Sequence, residues 1–312
     1  MWDRAACHGR SFLRRIEGLL IGARVLTALG RCLVEARPVV QVVFLMRFAS
    51  GAALGTGRLR LGAALLGALG WSLATCAIYL CNGIADYAED VGNGSRRPIA
   101  SGALPLAFAR RVVLVLAFAA LVQAMIAGPC QFAVMLSYLT VGYAYSGPPF
   151  PLKRRYYTAS LGGAALGLLT YLGGAVASAR AISAPLLVFA LAMTAWMGGV
   201  GGIAKDLSDV TGDRLAGRRS WPLVLGPQRA GGLMLLVAFA VAAGFTAAAA
   251  VAGHGLLLPA AAVAAGAVVL AVVTARVPPD ASRRVRRRPY RVFMAVQYLG
   301  HAGLVLALLA PL

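Results

Sequence analysis

Acidic residues, histidine and lysine are all scarce in this sequence. Its 312 residues include 10 Asp and Glu and 3 His against 30 Lys and Arg, and the lysines are Lys153 and Lys205 alone. The five cysteines show no paired spacing. Zinc and copper centres need clustered His and Cys ligands, and a disulfide framework needs a patterned set of cysteines. The sequence therefore excludes both.

Charge of either sign is also sparse. Charged residues make up 13% of the sequence and hydrophobic residues 60%, with a mean hydropathy of +0.78. A soluble core could not bury so much apolar surface, so the composition predicts an all-α, polytopic membrane protein. The net charge of +20 does not indicate a nucleic-acid partner, because the Arg residues lie mostly in short loops, where they set topology and meet anionic lipid. No obligate protein partner is evident.

The apolar runs predict nine transmembrane helices, each of ~17–25 residues, the length that a bilayer core requires. Their predicted limits are 38–56, 61–85, 107–127, 129–146, 158–178, 184–204, 229–252, 255–276 and 291–311. These helices form one domain over residues 38–312. Residues 1–37 form a cytoplasmic or interfacial N-terminal segment rather than a signal peptide, because Arg24 interrupts its apolar run.

The distribution of positive charge predicts the topology. With the N-terminus in the cytoplasm, every Arg and Lys outside the spans falls on an inner segment except Arg58, Arg60 and Arg180. This asymmetry fits the positive-inside rule, and it leaves the C-terminus outside. The Ala/Arg/Gly-rich composition favours the plasma membrane of a bacterium.

Most of the acidic residues form two short clusters. Asp86, Glu89 and Asp90 follow the second predicted span, and Asp206, Asp209 and Asp213 follow the sixth, so both clusters lie on the cytoplasmic side. Helical spacing places Asn82 and the first cluster on one face of a helix, and the second cluster on one face of another. Hard oxygen ligands without nearby His or Cys select Mg²⁺, which binds through carboxylates together with substrate phosphates.

Cations that a diphosphate would need stand near these clusters. Arg97 follows the first cluster, Lys205 precedes the second, and Lys153 lies in the inner loop between them. Arginine grips phosphate with two hydrogen bonds, and lysine supplies a point charge. Arg47 lies ~15 Å inside the first span, too deep for easy solvation unless it faces a polar cavity. It would contact a substrate there, and the alternatives are that it snorkels to the interface or forms an internal ion pair.

Three segments of the sequence resemble one known family. Residues 82–90 (NGIADYAED), followed by RPI at 97–99, are similar to the NxxxDxxxD…RPI signature of the UbiA-type intramembrane prenyltransferase superfamily. Residues 205–213 (KDLSDVTGD), with Gly217 four residues further on, resemble its second motif. Residues 145–154 (YSGPPFPLKR) resemble the segment that closes its fourth helix. Many members carry Asp directly after the first Asn, where this sequence has Gly83.

The resemblance implies a nine-helix fold around a central cavity that opens to the cytoplasm and laterally to lipid. It also implies Mg²⁺-dependent transfer of a prenyl group from an allylic diphosphate to an acceptor, often an aromatic compound. Asp86, Asp90, Asp206 and Asp209 are then the catalytic carboxylates. The implied metal ligands are Asn82, Asp86, Asp90, Asp206, Asp209 and Asp213. The substrate-binding residues are Arg97, Lys153, Lys205, Tyr145 and Arg47.

Two other functions share some of these features. A terpene cyclase of the same fold would ionise the same diphosphate and then close the cation onto its own tail. An ion-coupled transporter would also carry acids on membrane helices, but its sites lie near the bilayer midplane, whereas these acids lie at helix ends beside basic loops. The acceptor and the prenyl length are not fixed by the sequence.

Overall fold

The computed structural model describes residues 22–92, 94–278 and 280–310. Most of the predicted N-terminal segment, residues 1–21, lies outside the described residues, as do residues 311–312. The described chain is helical, and its only β-type pairings are two isolated bridges. This confirms the predicted all-α class.

Nine long helical stretches follow a first helix, α1, over residues 22–35. Their bounds, with those of the short helices between them, are α2 Pro38–Leu54, α3 Leu61–Ala85, α4 Tyr87–Gly92, α5 Leu106–Ala127, α6 Pro129–Ser146, α7 Tyr156–Ala177, α8 Ala184–Ala195, α9 Gly202–Leu215, α10 Trp221–Leu225, α11 Pro227–Ala252, α12 Leu257–Ala275, α13 Arg283–Arg286 and α14 Arg288–Leu309. α8 runs into α9 through the π-helical segment Trp196–Gly201.

Each predicted span coincides with one of these helical stretches. Seven stretches in the described residues are long and apolar enough to cross a membrane, including Ala184–Leu215, which joins α8 and α9. α2 is apolar but has 17 residues, and α6 is not among the seven. The polytopic class is therefore confirmed, and the crossing of the bilayer by α2 and α6 stays a prediction.

The helix α1 has two contrasting faces. It exposes Leu26, Leu33 and Val34, and it buries Cys32 and Glu35. Cys32 packs in one cluster with residues of α3, α5 and the turn before α5. The interfacial placement of this segment stays a prediction.

Two apolar cores divide the bundle, and α7 contributes to both. One core joins α2, α3, α5 and α6 to α7 around Trp71 and Tyr138. The other joins α7 to α8, α11, α12 and α14 around Phe189 and Trp196. Since α3 belongs to the first core and α9 continues a helix of the second, each half of the bundle carries one acidic cluster.

Glycines let α2 and α7 approach to backbone contact. A Cβ at Gly51 would lie 2.0 Å from the carbonyl oxygen of Tyr171, and a Cβ at Gly174 would lie 1.9 Å from that of Phe48. Within a bilayer, small residues of this kind allow close helix packing in place of hydrophobic association. Gly51 and Gly174 therefore serve close packing of the two helices.

The π-helical segment is also a packing site. A Cβ at Gly199 would meet Val237 of α11 at 2.6 Å, and one at Gly201 would meet the ring of Phe293 of α14 at 2.3 Å. π-helical turns concentrate at functional sites. Here the turn leads directly into α9, which carries the second acidic cluster.

Gly174→Ala should lower the midpoint of thermal unfolding in detergent by several degrees, because overpacking costs about 1–3 kcal/mol and the obstructing atom is backbone. Gly163→Ala in the same helix is the matched control, since no atom lies within 4 Å of its Cβ position. It should unfold at or above the wild-type midpoint. Equal midpoints for both variants would contradict the close contact of α2 with α7.

Candidate active site

The first acidic cluster continues the helical path of α3. The backbone N–H of Asp86 donates to the carbonyl of Asn82 at 2.9 Å, and that of Asp90 donates to the carbonyl of Asp86 at 2.8 Å. α4 therefore follows α3 almost without a break. Asn82, Asp86 and Asp90 occupy successive turns, as the spacing predicts.

The side chain of Asn82 is held by the end of α6 and by the loop that follows it. The Oδ1 atom of Asn82 accepts hydrogen bonds from Ser146 Oγ at 2.8 Å and from Lys153 Nζ at 3.1 Å. Lys153 also pairs with the carboxylate of Asp86. The YSGPPFPLKR segment thus contacts the first motif through its Ser and Lys.

Arg218 connects the two acidic clusters. Its Nη2 atom lies 3.0 Å from Asp86 Oδ1 and 2.8 Å from Glu89 Oε2, and its Nη1 atom lies 3.8 Å from Asp213 Oδ1. The side chains of Asp86 and Arg218 are each 12% exposed and that of Asp213 is 4% exposed. Carboxylates from α4, α9 and the junction of α3 with α4 therefore face one another across a single guanidinium.

A glycine turn brings Arg218 to this position. Gly217 adopts φ +65°, and the N–H of Arg218 donates to the carbonyl of Asp213 at 2.8 Å. A left-handed glycine that closes a helix in this way reverses the chain direction. Arg218 is consequently folded back beside the last acid of the helix that precedes it.

The loop of Lys153 is tied to the loop of Arg218. The N–H of Tyr156 donates to the carbonyl of Arg219, and the N–H of Arg219 donates to the carbonyl of Arg154, both at 2.9 Å. These two backbone hydrogen bonds hold Lys153 and Arg218 where both reach Asp86. A cavity of about 230 Å³ opens beside them, and its lining includes Asp86, Glu89, Ser146, Lys153 and Arg218.

Arg97 lies between two acids. Its Nη1 atom is 2.6 Å from Asp90 Oδ2, and its Nη2 atom is 2.5 Å from Glu35 Oε1. The sequence reasoning assigns Arg97 to a diphosphate. In this structure it cross-links the first cluster to the end of α1.

The acids of the second cluster contact different cations. Asp213 faces Arg218, whereas Asp209 lies 2.8 Å from Arg283 Nη2 of α13 and 3.8 Å from Lys205 Nζ. Asp206 occupies the preceding turn of α9 and is partly buried. Lys153 thus contacts an acid of the first cluster, and Lys205 contacts an acid of the second.

Burial changes the proton affinity of Glu89 in α4 and of Lys153 in the loop after α6. It raises the pKa of Glu89, against the opposing effect of Arg218, and it lowers the pKa of Lys153, against the opposing effect of Asp86. Both shifts favour the neutral form, as expected of ionisable groups withdrawn from water. Electrostatic interactions in such a site are stronger than at an open surface.

The donor set is suited to magnesium. Among the described residues, no three Asp, Glu, His or Cys side chains are grouped closely enough to hold a metal ion in their present arrangement. Asp86, Glu89 and Asp213 nevertheless converge on one partly buried positive charge, Arg218, and they offer oxygen atoms from both halves of the bundle. Mg²⁺ prefers such oxygen donors and binds through few carboxylates while keeping water and phosphate ligands. The residues present are therefore of the chemical type that Mg²⁺ binds.

The remaining two predicted site residues pack inside the bundle. The ring of Tyr145 packs 3.1 Å from the Cβ position of Gly162 in α7. Arg47 is 1% exposed, and its Nη2 atom donates to Gln297 Oε1 of α14 at 3.0 Å. Its Nε and Nη1 atoms meet no hydrogen-bond partner within the part of the chain that the structure describes.

Sequence reasoning missed Arg218, Glu35 and Arg283 as members of the site. Arg218 directly follows Gly217, the glycine that ends the second motif, and this adjacency is the one local sign of its position. Glu35 lies in the N-terminal segment, outside the three motifs, and Arg283 lies in an Arg-rich stretch near the C-terminus.

The comparisons agree with the resemblance found in the sequence. The model of the UbiA prenyltransferase family matches residues 43–297. The 33 kDa chain of bacteriochlorophyll synthase from Cereibacter sphaeroides is 32% identical over 180 residues, which cover 57% of this chain and 58% of that one. The matched part is thus less than two thirds of that relative. Digeranylgeranylglyceryl phosphate synthase from Halobacterium salinarum is 35% identical over 212 residues, covering 64% of this chain and 71% of the relative.

Solved structures share the fold. A UbiA homologue from Archaeoglobus fulgidus, bound to GPP and Mg²⁺, superposes with a TM-score of 0.67 at 20% identity, covering 88% of this chain and 99% of that chain. The apo UbiA homologue from Aeropyrum pernix K1 gives 0.65 at 24% identity, covering 86% and 98%. With most of its length matched by the family model and its fold shared with these homologues, the chain belongs to the UbiA prenyltransferase family.

Proposed function

We propose that this protein transfers a prenyl group from an allylic prenyl diphosphate to an acceptor, in a reaction that requires Mg²⁺. The observation that carries this proposal is the convergence of Asp86 and Asp213, from opposite halves of the bundle, on Arg218. Opposed carboxylates with cations between them suit a metal-bound diphosphate. Family membership and the GPP and Mg²⁺ bound to the Archaeoglobus fulgidus homologue support the same reaction.

The cations of the site would hold the diphosphate. Lys153 and Arg218 both contact Asp86, and Lys205 lies beside the second cluster. Together with Arg97 they would neutralise the negative charge that grows on the leaving diphosphate as the bond between its oxygen and C1 of the prenyl group breaks. Preorganised cations in a site withdrawn from water give the largest stabilisation of such charge.

The proposed metal ligands are Asn82, Asp86, Asp90, Asp206, Asp209 and Asp213, directly or through water. Bound Mg²⁺ supplies further positive charge to the diphosphate oxygens. Asp86, Asp90, Asp206 and Asp209 are catalytic in the sense that they hold this charge where the leaving group departs.

The prenyl group would react at C1. After the C–O bond breaks with both electrons on the diphosphate, a nucleophilic atom of the acceptor forms the new bond to C1 and the acceptor loses a proton. Tyr145 is proposed to face the allylic cation or to donate a hydrogen bond nearby, since an aromatic ring stabilises positive charge. The apolar tail would enter laterally from lipid.

Arg47 is proposed to bind an anionic group on the acceptor. Its guanidinium is buried, and Gln297, to which it donates, carries no charge. An uncompensated charge in the interior of a membrane protein is costly, so a bound carboxylate or phosphate would stabilise it. An aromatic acid is the acceptor class that this reading favours.

The site is proposed to face the cytoplasm of a bacterial cell, with the C-terminus of α14 outside. This orientation follows from the excess of Arg and Lys in the segments on the site's side of the bundle. The cyclase of the same fold is the second candidate. Both reactions use the same ionisation, so the products decide between them.

Purified protein in detergent, given Mg²⁺ and radiolabelled geranyl, farnesyl or geranylgeranyl diphosphate, should form a labelled adduct only when an acceptor is added. Excess chelator should abolish turnover. Asp86→Ala and Asp209→Ala should lower turnover at least about a thousandfold, since each removes charge that holds the metal-bound leaving group. Asp280→Ala, in a loop outside the site, should leave turnover unchanged. A cyclised hydrocarbon or alcohol released without acceptor would establish the cyclase instead.

Arg218→Gln should lower kcat/KM for the prenyl diphosphate at least about a hundredfold, because it leaves three carboxylates facing one another without their shared cation. Arg219→Gln is the control, since the neighbouring side chain is exposed. Steady-state kinetics on the two variants would measure the difference. Similar values for both would mean that the contacts of Arg218 do not matter to the reaction.

Arg47→Gln should raise the KM for an aromatic acid acceptor at least about tenfold and change little for the methyl ester of the same compound. The substitution removes the positive charge while keeping a hydrogen-bonding side chain. Kinetics with the matched acid and ester pair separate charge recognition from loss of folding. An equal effect on both acceptors would contradict an anion-binding role.

A further inference from the structure

Glu35, the last residue of α1, has its side chain wholly buried. Its Oε1 atom lies 2.5 Å from Arg97 Nη2, and its Oε2 atom accepts a hydrogen bond from the N–H of Ile99 at 3.1 Å. The carbonyl oxygen of Glu35 lies 3.4 Å from the same Arg97 nitrogen. This carboxylate thus meets a guanidinium and a backbone donor, the partners that a buried carboxylate requires.

The contact extends to the acidic cluster. Arg97 Nη1 lies 2.6 Å from Asp90 Oδ2, so Glu35, Arg97 and Asp90 form one continuous chain of charges. Because Arg97 contacts both carboxylates, Glu35 influences the orientation of Asp90 through Arg97. A residue before the family-matched region, which begins at residue 43, therefore contacts the site.

Gly83 makes room for this arrangement. A Cβ at position 83 would lie 2.4 Å from Glu35 Oε1 and 3.1 Å from Arg97 Nη2. The Glu35 carboxylate occupies the space into which any side chain at position 83 would project. An aspartate at that position would place its own carboxylate beside Arg97 only if Glu35 were shortened.

We propose that Glu35 is a positioning residue for the diphosphate site, and that it supplies from α1 the carboxylate that position 83 of α3 does not carry. The proposal rests on the proposed function for its effect on turnover. Glu35 holds Arg97 in place and partly balances its charge, and Arg97 in turn orients Asp90. The helix α1 is by this account a part of the active site.

The decisive comparison moves the carboxylate from one helix to the other. Glu35→Ala should lower kcat/KM for the prenyl diphosphate at least about tenfold, because Arg97 loses a buried partner. The double variant Glu35→Ala/Gly83→Asp should recover at least about half of that loss on a logarithmic scale, since it returns a carboxylate to Arg97. Glu35→Ala/Gly83→Asn has nearly the same shape without the charge, and it should recover nothing. Gly83→Asp alone should be inactive or unstable, since two carboxylates would then meet.

Docking of α1 is tested separately. Arg31 Nη1 donates to the carbonyl of Ala103 at 2.6 Å, a contact that fixes the same helix without touching Arg97. Arg31→Ala should therefore cost less than about threefold in kcat/KM, the effect of one exposed hydrogen bond. A loss equal to that of Glu35→Ala would overturn the positioning role. Equal recovery by the Gly83→Asp and Gly83→Asn double variants would overturn it as well.

Thermal unfolding of the same variants gives a readout that does not depend on turnover. The double variant with Gly83→Asp should unfold at a higher temperature than the one with Gly83→Asn, because only the former restores the pair with Arg97. If the wild type turned over no prenyl diphosphate while this order of stability held, the proposed function would fail. The inference that a carboxylate at position 83 can replace that of Glu35 would still hold. If the wild type turned over prenyl diphosphate normally but the two double variants unfolded at the same temperature, the role proposed for Glu35 would fail and the proposed function would stand.

Discussion

The ion pairs that Arg218 makes with Asp86 and Asp213 join the two halves of this protein. Carboxylates withdrawn from water at the ends of apolar helices are costly unless each meets a cation, and facing carboxylates also repel one another. The pairings found in the site serve this need: Lys153 and Arg218 for Asp86, Arg97 for Asp90, and Lys205 and Arg283 for Asp209. The reactive end of the bundle is consequently a network of alternating charges.

That network depends on precise placement of backbone. The left-handed Gly217 turns Arg218 toward α9, and the paired loops around Arg155 and Arg219 keep Lys153 nearby. Deeper in the bundle, backbone contacts at Gly51 and Gly174 fix α2 against α7, which belongs to both apolar cores. A scaffold packed this closely holds charged side chains at set separations, which is the condition for electrostatic preorganisation.

The sequence predicts those features that are local. Helical spans follow from apolar runs of bilayer length, and the rows of Asp86 and Asp209 follow from spacing within one helix. Lys153 could be anticipated from its motif. Arg218 could not, because the loops are rich in Arg and only the reversal at Gly217 selects this one.

The contact of Glu35 with Arg97 could not be predicted from the sequence for a different reason. Glu35 is 62 residues from Arg97 in the chain, and no periodicity connects the end of α1 with the turn after α4. The absence of a side chain at Gly83 was visible in the sequence as a departure from the family pattern. What fills the space beside it depends on how α1 packs, which is a property of the folded bundle.

The π-helical segment between α8 and α9 sets the rotational phase of the second acidic row. A π turn contains about one residue more than an α turn, so Trp196–Gly201 could lose a single residue by becoming an α turn, whereas a single deletion in the α-helical part of α8 would turn everything downstream by about 100° about the helix axis. Asp209 and Asp213 would then point away from α3 although their own spacing was unchanged. In evolutionary terms, a stretch with no ionisable side chain constrains where insertions and deletions can be tolerated in this helix.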